Sequence, residues 1–224
     1  VSHELKTPLT SIQGFSQAML DGTASDTVAR QRAAGIIHEE AGRMRRLVEE
    51  LLDLARLEAG EVALAREPVR IGELLSACAA RFAPRAEPEG IAVEVAVPPS
   101  LPPVLGDPDR LGQVFANLVD NALKHARRAP GGGLVRLQAE SHHGRVVCSV
   151  MDNGPGIPAE DLGRIFERFY QVDKSRARRG AGVGLGLAIA REIVQAHGGQ
   201  IDVESVEGLG TRFTVMLPAT FTRV

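Results

Sequence analysis

Asn117-Leu118-Val119-Asp120-Asn121-Ala122-Leu123-Lys124-His125 is the stretch on which the reading of this chain turns. Asn117, Asn121, Lys124 and His125 recur at helical spacing, so they draw one polar face on an otherwise apolar helix predicted over Asp109–Arg128. Asparagine is a mediocre helix former, and two of them one turn apart on a half-buried helix call for a reason. Amide oxygens can join a Mg²⁺ shell without adding charge, and a lysine beside them supplies a point charge for phosphates. Capping or interhelical hydrogen bonding is the alternative account.

Outward from this helix the pattern mixes helices and strands. Ile71–Phe82 reads as a helix, and Ile91–Val97 as an alternating strand. Leu134–Glu140 and Val146–Met151 form a hairpin around Gly144. A helix over Leu185–His197 precedes strands at Gln200–Ser205 and Arg212–Leu217, joined by Glu207-Gly208-Leu209-Gly210. Strands alternating with helices, with hairpins among them, predict an α+β two-layer sandwich over residues 71–224 rather than a doubly wound parallel sheet.

Residues 1–60 have a different grammar. Leu5, Leu9, Ile12, Phe15 and Met19 lie on one helical face, and Ile37, Ala41, Met44, Val48, Leu51 and Ala55 form a second stripe flanked by Leu47 and Leu54. Asp26 is an expected N-cap, Pro8 an expected kink, and Ala59-Gly60 an expected stop. An all-α hairpin cannot bury both stripes alone, so a four-helix bundle made by a homodimer through residues 1–60 is expected. Residues 61–70 read as the linker.

Composition narrows the function. Of 224 residues, 44% are hydrophobic and 24% charged, as in a globular protein. The net charge of −2 gives no field to recruit nucleic acid, and no nucleic-acid partner is expected. Cys78 and Cys148 lack metal or redox spacing and read as core residues of a reducing compartment. No run is long and apolar enough to span a bilayer. The chain opens on Val1 inside a helical pattern and reads as an excerpt, so a cytoplasmic fragment is expected, with membrane attachment only through parts outside it.

Three further clusters carry chemistry. In Ser2-His3-Glu4-Leu5-Lys6-Thr7-Pro8-Leu9-Thr10 a neutral imidazole can act as nucleophile near pH 7, Glu4 can handle its proton, and Thr7 lies one turn on. In Asp152-Asn153-Gly154-Pro155-Gly156-Ile157-Pro158 the glycines admit a flat ligand, and an ionised Asp152 can accept from an adenine amino group; a simple turn explains the sequence equally well. Gly180-Ala181-Gly182-Val183-Gly184-Leu185-Gly186-Leu187 presents backbone N–H groups at a helix N-terminus, without the features of a Walker A or dinucleotide loop.

Together these residues resemble sensor histidine kinases over essentially the whole chain. Ser2–Thr10 is similar to that family's phosphoacceptor box, Asn117–His125 to its asparagine box, and Asp152–Pro158 to its first glycine box. Phe166–Tyr170 resembles its phenylalanine box, Gly180–Leu187 its second glycine box, and Gly208-Leu209-Gly210-Thr211 its terminal Gly-x-Gly-Thr. The resemblance implies ATP and Mg²⁺ as cofactors, phosphorylation at His3 with proton handling by Glu4, and metal ligation by Asn121. It implies a nucleotide site drawing on Asn117, Lys124, His125, Asp152, Gly154, Gly156, Ile157, Phe169 and Thr211. A mobile lid over about residues 171–183 would add Lys174, Arg176, Gly182 and Val183, with Gly184, Leu185, Gly186 and Leu187 following it. It also implies phosphotransfer to an aspartate of a response regulator receiver domain, and phosphatase activity in which Thr7 orients water. Gln171 stands where arginine is common in the family, which is why Lys174 and Arg176 enter the expected site, and His125 stands where tyrosine is common.

Overall fold

The computed structural model describes residues 2–127, 129, 131–172 and 183–220, without the side chains of residues 2–4. They form two compact units, Val1–Ala55 and Arg56–Val224.

The first unit holds helix α1 (Ser2–Leu20) and most of helix α2 (Thr27–Glu58). The Asp26 carboxylate accepts from the Ala29 N–H at 2.7 Å, the expected N-cap. At the far end the Glu61 N–H reaches back to the Arg56 carbonyl at 3.0 Å, closing the helix around Ala59-Gly60. Pro8 lies inside α1 and does not end it. Leu47 and Leu54 are buried, whereas Val48 is 43% exposed and Leu9 44%. The single chain thus covers the flank of the apolar stripe and leaves its seam open.

The second unit is built on a mixed sheet. Its strands are β2 (Ile91–Ala96), β4 (Gly133–His142), β5 (Arg145–Asp152), β6 (Gln200–Val206) and β7 (Gly210–Pro218), in the order β2-β4-β5-β7-β6. Only β2 and β4 run parallel; the other neighbours are antiparallel. Helices α3 (Ile71–Ala86), α4 (Pro108–Ala126) and α5 (Gly186–Ala196) form the second layer. Period-2 alternation selects the covered face: Val135 and Leu137 on β4, Val146, Cys148 and Val150 on β5, and Phe213, Val215 and Leu217 on β7 are buried. α4 matches them with Leu111, Val114, Phe115, Leu118, Val119, Ala122 and Leu123. Burial pushes the Cys78 and Cys148 thiols up, to about 11 and about 12, so both stay protonated in the core.

Two expectations need correction. Glu67–Val69 is not free linker but strand β1, paired antiparallel with β3 (Val104–Gly106), and the Ala65 N–H donates to the Asp107 carboxylate at 3.1 Å. Three-residue strands, one containing Pro68, carry too little alternation to be read from sequence. α3 also runs past Phe82 and through Pro84, which sits close enough to the helix end to cost little.

The turn into β7 is the tightest point of the fold. Gly210 has φ +115°, and a Cβ there would stand 2.0 Å from the Asp152 carbonyl oxygen. Gly210→Ala is expected to destabilise the unit by about 2 kcal/mol or more. Gly163→Ala, whose Cβ would meet nothing within 4 Å, should change stability little. Urea unfolding of the two variants measures the difference.

Candidate functional site

The alternation that buries Val146, Cys148 and Val150 on β5 places Asp152 at the next inward position, beneath α4. Its partner across the ladder is Thr211, the inward residue that opens β7. A carboxylate is therefore carried into the layer between sheet and helices and is only 8% exposed. Burial raises its pKa to about 6, while the backbone N–H groups of Gly154 and Thr211, the former at 2.9 Å, hold it down.

The loop after Asp152 is stitched on two sides. Asn153 accepts from the Leu134 N–H at 2.7 Å and donates to the Gly132 carbonyl at 2.9 Å, which fixes the loop to the start of β4. Ser205 accepts from the Ile157 N–H at 2.9 Å and donates to the Gly210 carbonyl at 2.8 Å, with Thr211 Oγ1 2.9 Å from the same hydroxyl. Gly208 donates to the Pro155 carbonyl at 2.8 Å. Gly154 and Gly156 are required by crowding, since added Cβ atoms would stand 2.9 Å from the His125 carbonyl oxygen and 2.3 Å from that of Val206. The first glycine cluster thus joins the end of α4 to the β6–β7 turn.

α4 starts at Asp107, whose carboxylate accepts from Asp109 and Arg110 N–H at 3.1 and 3.0 Å. Its polar face carries half-buried Asn117, Asn121, Lys124 and His125. The Asn117 amide donates to the Gly186 carbonyl at 3.0 Å, tying this face to the start of α5. Lys124 does not stand free toward a ligand; it ion-pairs with Asp120, one turn earlier. Phe169, at φ +62°, donates its N–H to the Gly184 carbonyl at 2.9 Å. A Cβ on Gly184 would collide with Tyr170 and Phe169 backbone at 2.8–2.9 Å. The phenylalanine cluster and the second glycine cluster are therefore locked together at the two ends of the stretch that joins them.

Contacts link several of the expected site residues in pairs: Asn117 to Gly186, His125 to Gly154, Asp152 to Gly154 and Thr211, Ile157 and Thr211 through Ser205, and Phe169 to Gly184; Gly156 packs on the turn after Val206. Val183 and Leu187 lie half-buried beside them. Lys174, Arg176 and Gly182 lie outside the described residues, as do the side chains of His3 and Glu4; Thr7 is exposed on α1. Ser205 and Asp120 went unread. Ser205 had a signal, since Ile201, Val203 and Ser205 share one strand phase and put a hydroxyl on the inward face.

Two families match the chain. Residues 106–220 match the histidine kinase-, DNA gyrase B- and HSP90-like ATPases, and residues 1–60 match the His kinase A phospho-acceptor domain. The sensor histidine kinase WalK of Bacillus subtilis (strain 168) is 38% identical over 220 residues. This chain belongs to the sensor histidine kinase family. The WalK match covers 97% of the chain and 35% of WalK. The sensor protein SrrB of Staphylococcus aureus (strain MRSA252) is 34% identical, over 97% of this chain and 37% of SrrB. The chain thus spans about a third of the length of these curated relatives. Among solved structures, full-length ShkA in complex with AMPPNP aligns over 100% of this chain and 45% of its own, with a TM-score of 0.76 and 34% identity. The histidine kinase ThkA in complex with the response regulator protein TrrA aligns over 98% of this chain and 60% of its own, with a TM-score of 0.77 and 27% identity.

In this chain the donor set fits a nucleotide and its metal. A buried carboxylate closes the end of the central strand β5, amides of neutral charge line α4, and a glycine-opened helix start lies against them. Among the described residues no helix is long and apolar enough to cross a membrane.

The raised pKa of Asp152 has a consequence for stability. Its folded value exceeds the ordinary 3.8, so its favourable contribution is complete below about pH 4 and is lost as pH rises through about 6. Above that pH the ionised, buried carboxylate opposes folding by about 2–3 kcal/mol at most. Asp152→Asn should therefore be at least as stable as the parent at pH 8, the difference vanishing toward pH 4. Urea unfolding across that range checks it; a variant less stable at pH 8 would show that the lost acceptor outweighs the burial.

Proposed function

We propose that this chain binds ATP in its α/β unit, transfers the γ-phosphoryl group to His3, and passes it to an aspartate of a response regulator receiver domain. The observation that carries this reading is Asp152, buried under α4 and braced by the Gly-x-Gly-Thr turn, facing the helix that bears Asn117 and Asn121. An ionised Asp152 accepts from the adenine amino group, and Gly154, Gly156 and Ile157 let the base lie against the loop. Thr211 and Phe169 frame that pocket, and His125 borders it at the end of α4.

Asn121 would hold Mg²⁺ through its amide oxygen, and the metal would supply neutralisation of phosphate charge. Gly184–Leu187 direct backbone N–H groups at the phosphates, and Lys124 adds a point charge. Gln171 is neutral, so lid cations, Arg176 first among them, take the role arginine would have there; an arginine fork can grip two phosphate oxygens. His3 attacks the γ-phosphorus in line: a P–N bond forms, the bond to the bridging oxygen breaks, ADP leaves, and Glu4 handles the imidazole proton. The residues between Gly60 and β1 would serve as the joint through which the nucleotide-bearing part reaches His3. Thr7, one turn from His3, orients water for removing phosphate from the regulator.

The partners follow from the same residues. The open seam of Val48 and Leu9 supports a homodimer through residues 1–60. ThkA, similar to this chain over nearly its whole length, is seen with a response regulator, which supports that class of partner.

Incubation with γ-labelled ATP and Mg²⁺ is expected to leave label on the protein that is labile to acid and stable to alkali. His3→Gln should abolish it while ATP affinity stays within about twofold, since the acceptor and the proposed ATP site lie in different domains. Label persisting in that variant would end the assignment. Removing residues 1–59 should give a monomer that still binds ATP, checked by sedimentation and calorimetry; a dimer after the deletion would contradict the bundle.

A further inference from the structure

Asp120 lies one turn before Lys124 on α4 and beside α3. It carries two cations at once: Arg85 Nη1 stands 2.5 Å from Asp120 Oδ1, and the Lys124 ammonium pairs with Oδ2. The three side chains are about a third exposed, at 43%, 30% and 34% for Arg85, Asp120 and Lys124.

A carboxylate with two cations can release one and remain compensated. The two are not equivalent. Arg85 is a planar fork whose guanidinium also lies 5.9 Å from the Phe82 ring, anchoring it on α3. Lys124 is a point charge on a flexible four-carbon stem, at the border between Asp120 and the Asn117–Asn121 face. Lys124 is therefore the member that moves.

We propose that Asp120 is a positioning residue for nucleotide binding: it parks Lys124 in the nucleotide-free protein and, held by Arg85, gives the ammonium up when a triphosphate arrives. The inference rests on the reading above that Lys124 meets phosphate. It makes Asp120 a brake on ATP affinity and Arg85 the residue that loosens that brake, so their removal has opposite effects. In Asp120→Asn the ammonium is free from the start; in Arg85→Ala the carboxylate grips Lys124 as its one remaining cation of the pair.

The test is calorimetric binding of ATP and of adenosine to the whole chain at low salt. Asp120→Asn should tighten ATP about two- to fivefold, the scale of a partly exposed ion pair, and leave adenosine unchanged. Arg85→Ala should weaken ATP about two- to threefold, the same scale with the opposite sign. Both effects should fade as salt rises. The gain from Asp120→Asn must vanish in the Lys124→Ala background. A gain that survives in Lys124→Ala would reduce Asp120 to a simple repulsive charge and overturn the proposal, as would an equal effect on adenosine. Asp120→Ser, a second removal of the same charge, must reproduce the sign; a loss of ATP affinity in both would also overturn it. If Lys124→Ala alone leaves ATP binding unchanged, the phosphate reading of Lys124 fails; if it weakens binding while Asp120→Asn does nothing, only the parking role fails.

Discussion

Everything around the site answers to one carboxylate placed where a strand of alternating residues would otherwise put another apolar side chain. Asp152 takes the inward phase of β5 after Val146, Cys148 and Val150. With little of it exposed, its oxygens draw on the backbone N–H groups of Gly154 and Thr211. That requirement brings the loop after β5 and the start of β7 within van der Waals distance, which in turn excludes a side chain at Gly210 and at Gly154. Ser205 completes the frame by bonding both sides at once. Gly154 and Gly210 are thus consequences of backbone crowding around a buried charge.

A second constraint closes the other side. The Phe169 N–H to Gly184 carbonyl bond and the contact between Gly184 and Tyr170 fix the two ends of the segment between the phenylalanine and second glycine clusters. Phe166, buried edge-on to Phe213 with ring centroids 6.2 Å apart, anchors the first of those ends in the core. The chain positions on either side of that segment are thus fixed, by the core at Phe166 and by the start of α5.

How legible this was depended on the period of each signal. α4 and α5 were readable because their apolar faces repeat over several turns, and β4, β5 and β7 because apolar residues hold every second, inward position over most of their length. β1 and β3 were not, because pairing in a three-residue strand is decided by its partner rather than by its own sequence. The glycine motifs pointed to the right loops, but the sequence offered no way to see that Gly154 packs on the end of α4 while Gly156 packs on the β6–β7 turn. In the helical hairpin the stripe itself was visible. Its division into a buried flank at Leu47 and Leu54 and an open seam at Val48 needed the relative rotation of α1 and α2.

Asp120 and Asp152 show the same functional group under opposite treatment within one unit. Asp152 is buried with backbone dipoles for company, and its pKa climbs to about 6. Asp120 sits between Arg85 and Lys124, and its pKa falls. A carboxylate that must accept a hydrogen bond from a neutral amino group is best left without a cation, because a guanidinium or ammonium would occupy its lone pairs and compete with the ligand. A carboxylate that merely holds a lysine in reserve is best given two cations, because losing one then costs little. The placement of charge on α3 and α4 follows that distinction: Arg85 and Lys124 are spent on Asp120 and none is sent beneath the helix to Asp152. In the proposed nucleotide site this division leaves the sheet end free for a flat, uncharged base and the cationic reserve near the amide-bearing face, the polarity a nucleotide itself carries from its base to its phosphates.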